Sequence, residues 1–96
     1  MRLTAETASR IAACFADLSK NAQRSDSRKF AARWGDEIRQ QLAANRSPVV
    51  LDWDAEDQGD AAYLIGCRAS YGLRETAAKM DTGKRRIGTT LVVADE

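Results

Sequence analysis

Pro48-Val49-Val50-Leu51-Asp52-Trp53-Asp54 is the stretch on which the fold of this chain turns. A proline, which has no N–H to give a helix, is followed by three apolar side chains, and then Asp52, Trp53 and Asp54 alternate polar and apolar. A short strand fits this pattern better than another helical turn. Upstream the chain reads as helix. Phe30, Trp34, Ile38 and Leu42 recur every fourth residue and define one apolar stripe, which Asn45 and Pro48 end. Earlier still, Thr4 is a good helix cap with Glu6 in the first turn, and Ala8, Ile11, Phe15 and Leu18 follow at spacings of three and four. These features predict an amphipathic helix over residues 5–20, with a polar turn over residues 21–27. Each helix has a stripe to bury and the connection is short, so a helical hairpin is expected, with Phe15 and Trp34 as core anchors.

Downstream of the decisive stretch, Ile87, Thr89, Leu91 and Val93 alternate with period two in a segment rich in β-branched residues, which predicts a second strand over residues 87–94. Residues 55–71 admit two readings. Asp54 could cap a helix with Glu56 and Asp57 in its first turn, while Tyr63, Ile65, Cys67, Ala69 and Tyr71 alternate as a strand would. Leu73, Ala77 and Met80 share one helical face. The expected fold is therefore α+β, an N-terminal helical hairpin packed on a small β-sheet with one further helix. A length of 96 residues suits a single domain over residues 1–96.

Composition narrows the chemistry. The chain contains no histidine, which removes the commonest general base near neutral pH and the commonest metal ligand. Two cysteines without histidine cannot build the usual four-ligand zinc site, and Cys14 and Cys67 sit among apolar neighbours where a thiol packs as a small hydrophobe. Neither a catalytic residue, a bound metal nor a cofactor is expected. No apolar run approaches a membrane span, and the N-terminal segment, with Glu6 and Asp17, lacks the pattern of a secretory signal, so a cytoplasmic protein with no membrane partner is expected.

Charge is sorted along the chain. The totals nearly cancel at +1, yet Asp52, Asp54, Glu56, Asp57 and Asp60 crowd one stretch, while Lys84, Arg85 and Arg86 form a basic cluster downstream. Local fields of this kind suit a polar protein-protein surface. Asp52, Trp53, Asp54, Glu56, Asp57 and Asp60 are the candidate protein-binding residues, with Trp53 or Tyr63, where exposed, supplying an apolar anchor. As a calcium loop the acidic stretch fails, because Asp57 stands where the turn demands glycine and Tyr63 where a bidentate glutamate is needed.

Two short segments resemble known families. The strand followed by Asp52-Trp53-Asp54 resembles the opening of haloacid dehalogenase-like phosphatases over six residues, which would imply Mg²⁺ shared by Asp52 and Asp54; a chain of 96 residues leaves little room for the large domain of that family. Gly72-Leu73-Arg74-Glu75-Thr76-Ala77-Ala78-Lys79-Met80 resembles the first half of a helix-turn-helix DNA-binding unit. That resemblance covers residues 72–91 and implies close helix crossing at Ala77, with Lys84, Arg85, Arg86, Thr89 and Thr90 on a recognition helix as nucleic-acid-binding residues. The segment departs from the family at Asp81, where glycine is usual, and at Thr82, where an apolar residue is usual.

The sequence thus favours a non-catalytic binding protein, a small inhibitor or adaptor whose partner is another protein or protein complex. Anti-CRISPR proteins of mobile elements exemplify that size and lack of catalytic chemistry. A helix-turn-helix transcriptional regulator that binds DNA is the alternative.

Overall fold

The computed structural model describes residues 1–81. The chain forms two compact units, Met1–Asp52 and a second that starts at Trp53. Among the described residues there are four helices and a two-stranded antiparallel sheet, an α+β arrangement.

In the first unit, α1 runs over Ala5–Asn21 and α2 over Ser25–Ala43. Thr4 caps α1 as expected, its side-chain oxygen accepting the Thr7 N–H at 3.2 Å. Helix α2 begins inside the polar stretch that reads as a turn, and its own side chains explain why. The Asp26 carboxylate accepts the Ser27 N–H at 3.0 Å and pairs with Arg24 at 3.3 Å. Slight burial raises the Asp26 carboxyl's pKa; the Arg24 hydrogen bond and charge, with the Ser27 N–H, outweigh it and leave the group below its ordinary value. Arg28 reaches back from the first turn of α2 and donates to the carbonyls of Ala22 and Gln23 at 2.7 and 3.1 Å, which ties down the exit from α1. These bonds satisfy one amide of the first turn of α2 and two carbonyls just before it, with no apolar side chain involved.

The two helices pack on each other along an apolar seam. Ile11, Cys14 and Phe15 of α1 are fully buried, as are Ala31 and Ile38 of α2. Phe15 meets Phe30 edge-on with ring centroids 6.0 Å apart, and Phe30 in turn lies 6.4 Å from Trp34. At Gly35 an added Cβ would sit 3.3 Å from the Phe15 Cβ, closer than side chains normally pack, so the absent side chain lets the helices approach. The end of α2 is a Schellman motif. Asn45 adopts the left-handed φ of 57°, its N–H bonds to the Leu42 carbonyl at 3.0 Å, and the Arg46 N–H bonds to that of Gln41 at 3.0 Å.

The sheet contains a strand that the sequence pattern does not reveal. The strand at Val49–Val50, β2, pairs with β1 at Arg2–Leu3, in the register Arg2 with Val50 and Leu3 with Val49. Two residues carry no readable period, so β1 is invisible in the sequence; residues 87–94, expected as a second strand, lie outside the described residues. Met1 and Leu51 extend the ladder by exchanging hydrogen bonds at 2.9 and 2.8 Å. In an antiparallel ladder the next residue, Val50, must then turn its N–H and C=O away from β1. Both meet the buried side chain of Gln41, whose Oε1 accepts the Val50 N–H at 2.9 Å and whose Nε2 donates to the Val50 carbonyl at 2.7 Å. Nε2 also donates to Glu37 at 2.8 Å. The buried stripe of α2 therefore continues from Ile38 to Gln41, and Leu42 is only half-buried.

In the second unit, α3 spans Ala55–Gly66, a short 3₁₀ helix spans Ala69–Tyr71, and α4 spans Arg74–Met80. Of the two readings of residues 55–71, the helix prevails as far as Gly66, because Asp54 and Asp57 form a reciprocal capping box. Helices α3 and α4 make two after the first pair, where the expected fold has one further helix and leaves residues 55–71 open between helix and strand. Ala61, Ile65, Leu73 and Met80 are buried in this unit, and Gly72, with φ of 64°, makes the turn before α4.

Two variants test the first unit. Gln41→Met keeps the size of the side chain and removes both partners of Val50, so stability should fall by about 2 to 3 kcal/mol in urea denaturation. Gly35→Leu should cost about 1 to 3 kcal/mol by overpacking against Phe15, despite leucine's better helix propensity; an unchanged midpoint would mean that the helix pair separates without loss.

Candidate functional site

The acidic segment is positioned by two local rules. From Leu51 to Asp54 the chain is extended, and side chains alternate: Leu51 and Trp53 are buried while Asp52 and Asp54 are exposed. From Ala55 onward the helical period takes over. Glu56, Asp60 and Tyr63 follow at spacings of four and three, which places them on one face of α3, with Glu56 exposed and Asp60 and Tyr63 half-exposed. Asp57 is half-exposed on the flank of that face.

The five carboxylates do different work. Asp54 accepts the Asp57 N–H at 2.8 Å, and Asp57 accepts the Asp54 N–H at 3.4 Å, so these two are held as the cap of α3. Glu56 and Asp57 lie in the first turn, where the helix dipole favours negative charge. Asp52 makes no hydrogen bond or ion pair among the described residues and stands at the end of the sheet, one residue beyond the Met1–Leu51 bonds. Of these two exposed aspartates, Asp54 is committed to the cap of α3 and Asp52 is not. Among the described residues no group of three or more His, Cys, Asp or Glu side chains could hold a metal ion.

Trp53 is only 6% exposed and so does not offer an anchoring surface. Its carbonyl accepts Gln58 Nε2 at 3.5 Å. Alternation in the extended segment already signalled this, since exposing Asp52 and Asp54 turns Trp53 inward. Tyr63 is the aromatic residue left on the face of α3. Cys67 is buried, and its Sγ donates to the Tyr63 carbonyl at 2.9 Å, the arrangement of a packed thiol. Cys14 is fully buried.

Lys84, Arg85, Arg86, Thr89 and Thr90 lie outside the described residues. The segment that resembles a helix-turn-helix unit is described only as far as Asp81, with α4 over its first part and with Ala77 and Met80 buried. No helix among the described residues is long and apolar enough to cross a membrane. No family model, curated protein or solved structure matches this chain. The functional reading rests on the chain's own residues.

The division of labour among the carboxylates is measurable. Asp54→Ala should lower stability by about 1 kcal/mol through loss of the α3 cap. Asp52→Ala should change it by less than about 0.5 kcal/mol. Equal losses in urea denaturation would make Asp52 a structural residue.

Proposed function

We propose that this protein is a non-catalytic binding module of the cytoplasm, a small inhibitor or adaptor that engages a basic surface of another protein. The observation that supports it best is the capped, acidic start of α3. Asp54 and Asp57 are locked by their mutual hydrogen bonds, so Glu56 and Asp60 project from a helix whose first turn is already ordered, and Asp52 adds an exposed charge just before it. Charge presented on an ordered element loses little side-chain and backbone freedom on association.

Such a rim sets encounter rate and orientation, and Tyr63, on the same face as Glu56 and Asp60, supplies apolar contact area. The pair α1 and α2, read as a helical hairpin seated on the two-stranded sheet, is a scaffold with no reactive group of its own. Histidine is absent from the chain and both thiols are buried, which favours binding over catalysis.

The test is affinity capture from nuclease-treated lysate, with the wild type compared against Asp52→Lys combined with Glu56→Lys. A protein should be retained by the wild type and lost by the variant, while the melting temperature stays within about 4 °C. A protein held equally by both would place the contact elsewhere on the chain. Capture that disappears on nuclease treatment of the wild type would overturn a protein partner.

A further inference from the structure

The first unit carries a second polar surface, separate in its residues from the acidic segment. The first 48 residues hold nine basic and five acidic side chains, and the structure sorts the nine by what they touch. Arg10 pairs with Glu6, Arg24 with Asp26 and Arg39 with Asp36. Arg28 is spent on the carbonyls at the end of α1. Arg2, Lys20 and Arg46 are exposed without a carboxylate partner among the described residues, and so are Lys29 and Arg33, the two of these five that share one helical face. Both are exposed, and neither has a carboxylate partner among the described residues, although Asp26 and Asp36 lie three positions away on either side and are taken by Arg24 and Arg39.

Lys29 and Arg33 are four residues apart on α2, so they are neighbours on one helical face and repel each other. The described fold gains no ion pair from this arrangement. Arg33 is also oriented, for its Cζ lies 4.6 Å from the centroid of the Trp34 ring, and Trp34 is itself 7% exposed and anchored in the aromatic cluster with Phe30. A guanidinium stacked on an indole keeps its N–H edge available for a planar or tetrahedral anion. Phe30, next to Lys29 in the chain, is half-buried and packs on Phe15 and Trp34.

We propose that the Lys29–Arg33 face of α2 contacts the phosphate backbone of a nucleic acid. Two cations separated by about 6 Å along the helix axis match a ligand whose charges recur in a line every few ångströms, which is the property of a polynucleotide strand. Carboxylates four residues apart on a helix, as Glu56 and Asp60 are, share that spacing for only a turn or two, whereas a polynucleotide strand repeats it along its whole length. The contact is independent of base sequence, since it reads charge and not base edges.

The experiment is fluorescence anisotropy of a labelled 20-nucleotide single strand and the corresponding duplex, titrated with the full chain between about 50 and 200 mM salt. Lys29→Glu with Arg33→Glu is compared with Lys20→Glu with Arg46→Glu, which changes net charge equally at exposed sites away from this face. The α2 variant should weaken binding at least about tenfold and make the slope of log K against log salt shallower by about 1.4 to 1.8, as expected for two lost phosphate contacts. The control pair should change affinity less than about threefold. If the α2 double variant loses its far-ultraviolet circular dichroism, Lys29→Gln and Arg33→Gln are used singly, each expected to reduce the slope by about 0.7 to 0.9. Equal weakening by both charge reversals, or none by the α2 pair, overturns the proposal. So does equal binding of a poly-glutamate peptide of matching charge, which would point to an acidic protein as the ligand.

Discussion

The amide of Gln41 holds the first unit together at its weakest place. A sheet of two residues per strand has almost no ladder of its own, and Val50 faces away from its one partner strand among the described residues. An unpaired N–H and C=O there would carry a desolvation cost comparable to that of losing a hydrogen bond at each group. Gln41 supplies an acceptor and a donor in the geometry of a neighbouring strand, so a side chain from α2 completes the outer side of β2. That bond pair fixes the strand on the helix. It also sets where the chain emerges with Leu51 buried and Asp52 in solvent, and so where the acidic segment starts.

Polar side chains perform the same service at the helix ends. Thr4, the Arg24–Asp26 pair, Arg28, Asn45 and the Asp54–Asp57 box each satisfy backbone groups or fix a turn that the helices leave open. Several residues that look like surface decoration are therefore part of the frame. The distinction matters for function, because a charge committed to a cap cannot be reversed without disturbing the helix behind it. Asp52, Lys29 and Arg33 have no such duty, and the two binding proposals use them for that reason.

Much of this was readable beforehand where periodicity is long. The stripe of α1, the cap at Thr4, the stop at Asn45 and the change of pattern after Pro48 all follow from spacing and backbone chemistry. The start of α2 was hidden because its first turn is stabilised by side-chain hydrogen bonds and not by an apolar stripe. Strand β1 was hidden by its length. Gln41 was passed over in favour of Leu42, since hydropathy alone assigns a glutamine to the surface, whereas the angular position three residues beyond Ile38 places it inward. Trp53 reads as buried from its place between two exposed aspartates, whereas aromatic character alone reads as a binding anchor. The choice between helix and strand for residues 55–71 was decided by one local feature, the reciprocal cap at Asp54 and Asp57, while the alternating apolar residues pointed both ways.

The bonds to Val50 and those to Leu51 differ greatly in the length of chain they close. Gln41 and Val50 are nine residues apart, whereas Met1 and Leu51 are separated by fifty. Loop-closure entropy favours the shorter contact during folding, and the helices need only local contacts to form. The order that follows is α2 capturing β2 through Gln41, which leaves a strand with one open edge for Arg2 and Leu3 to join last. In kinetic terms the glutamine is a template: it holds one strand ready so that a segment too short to pair by itself finds its partner already in place.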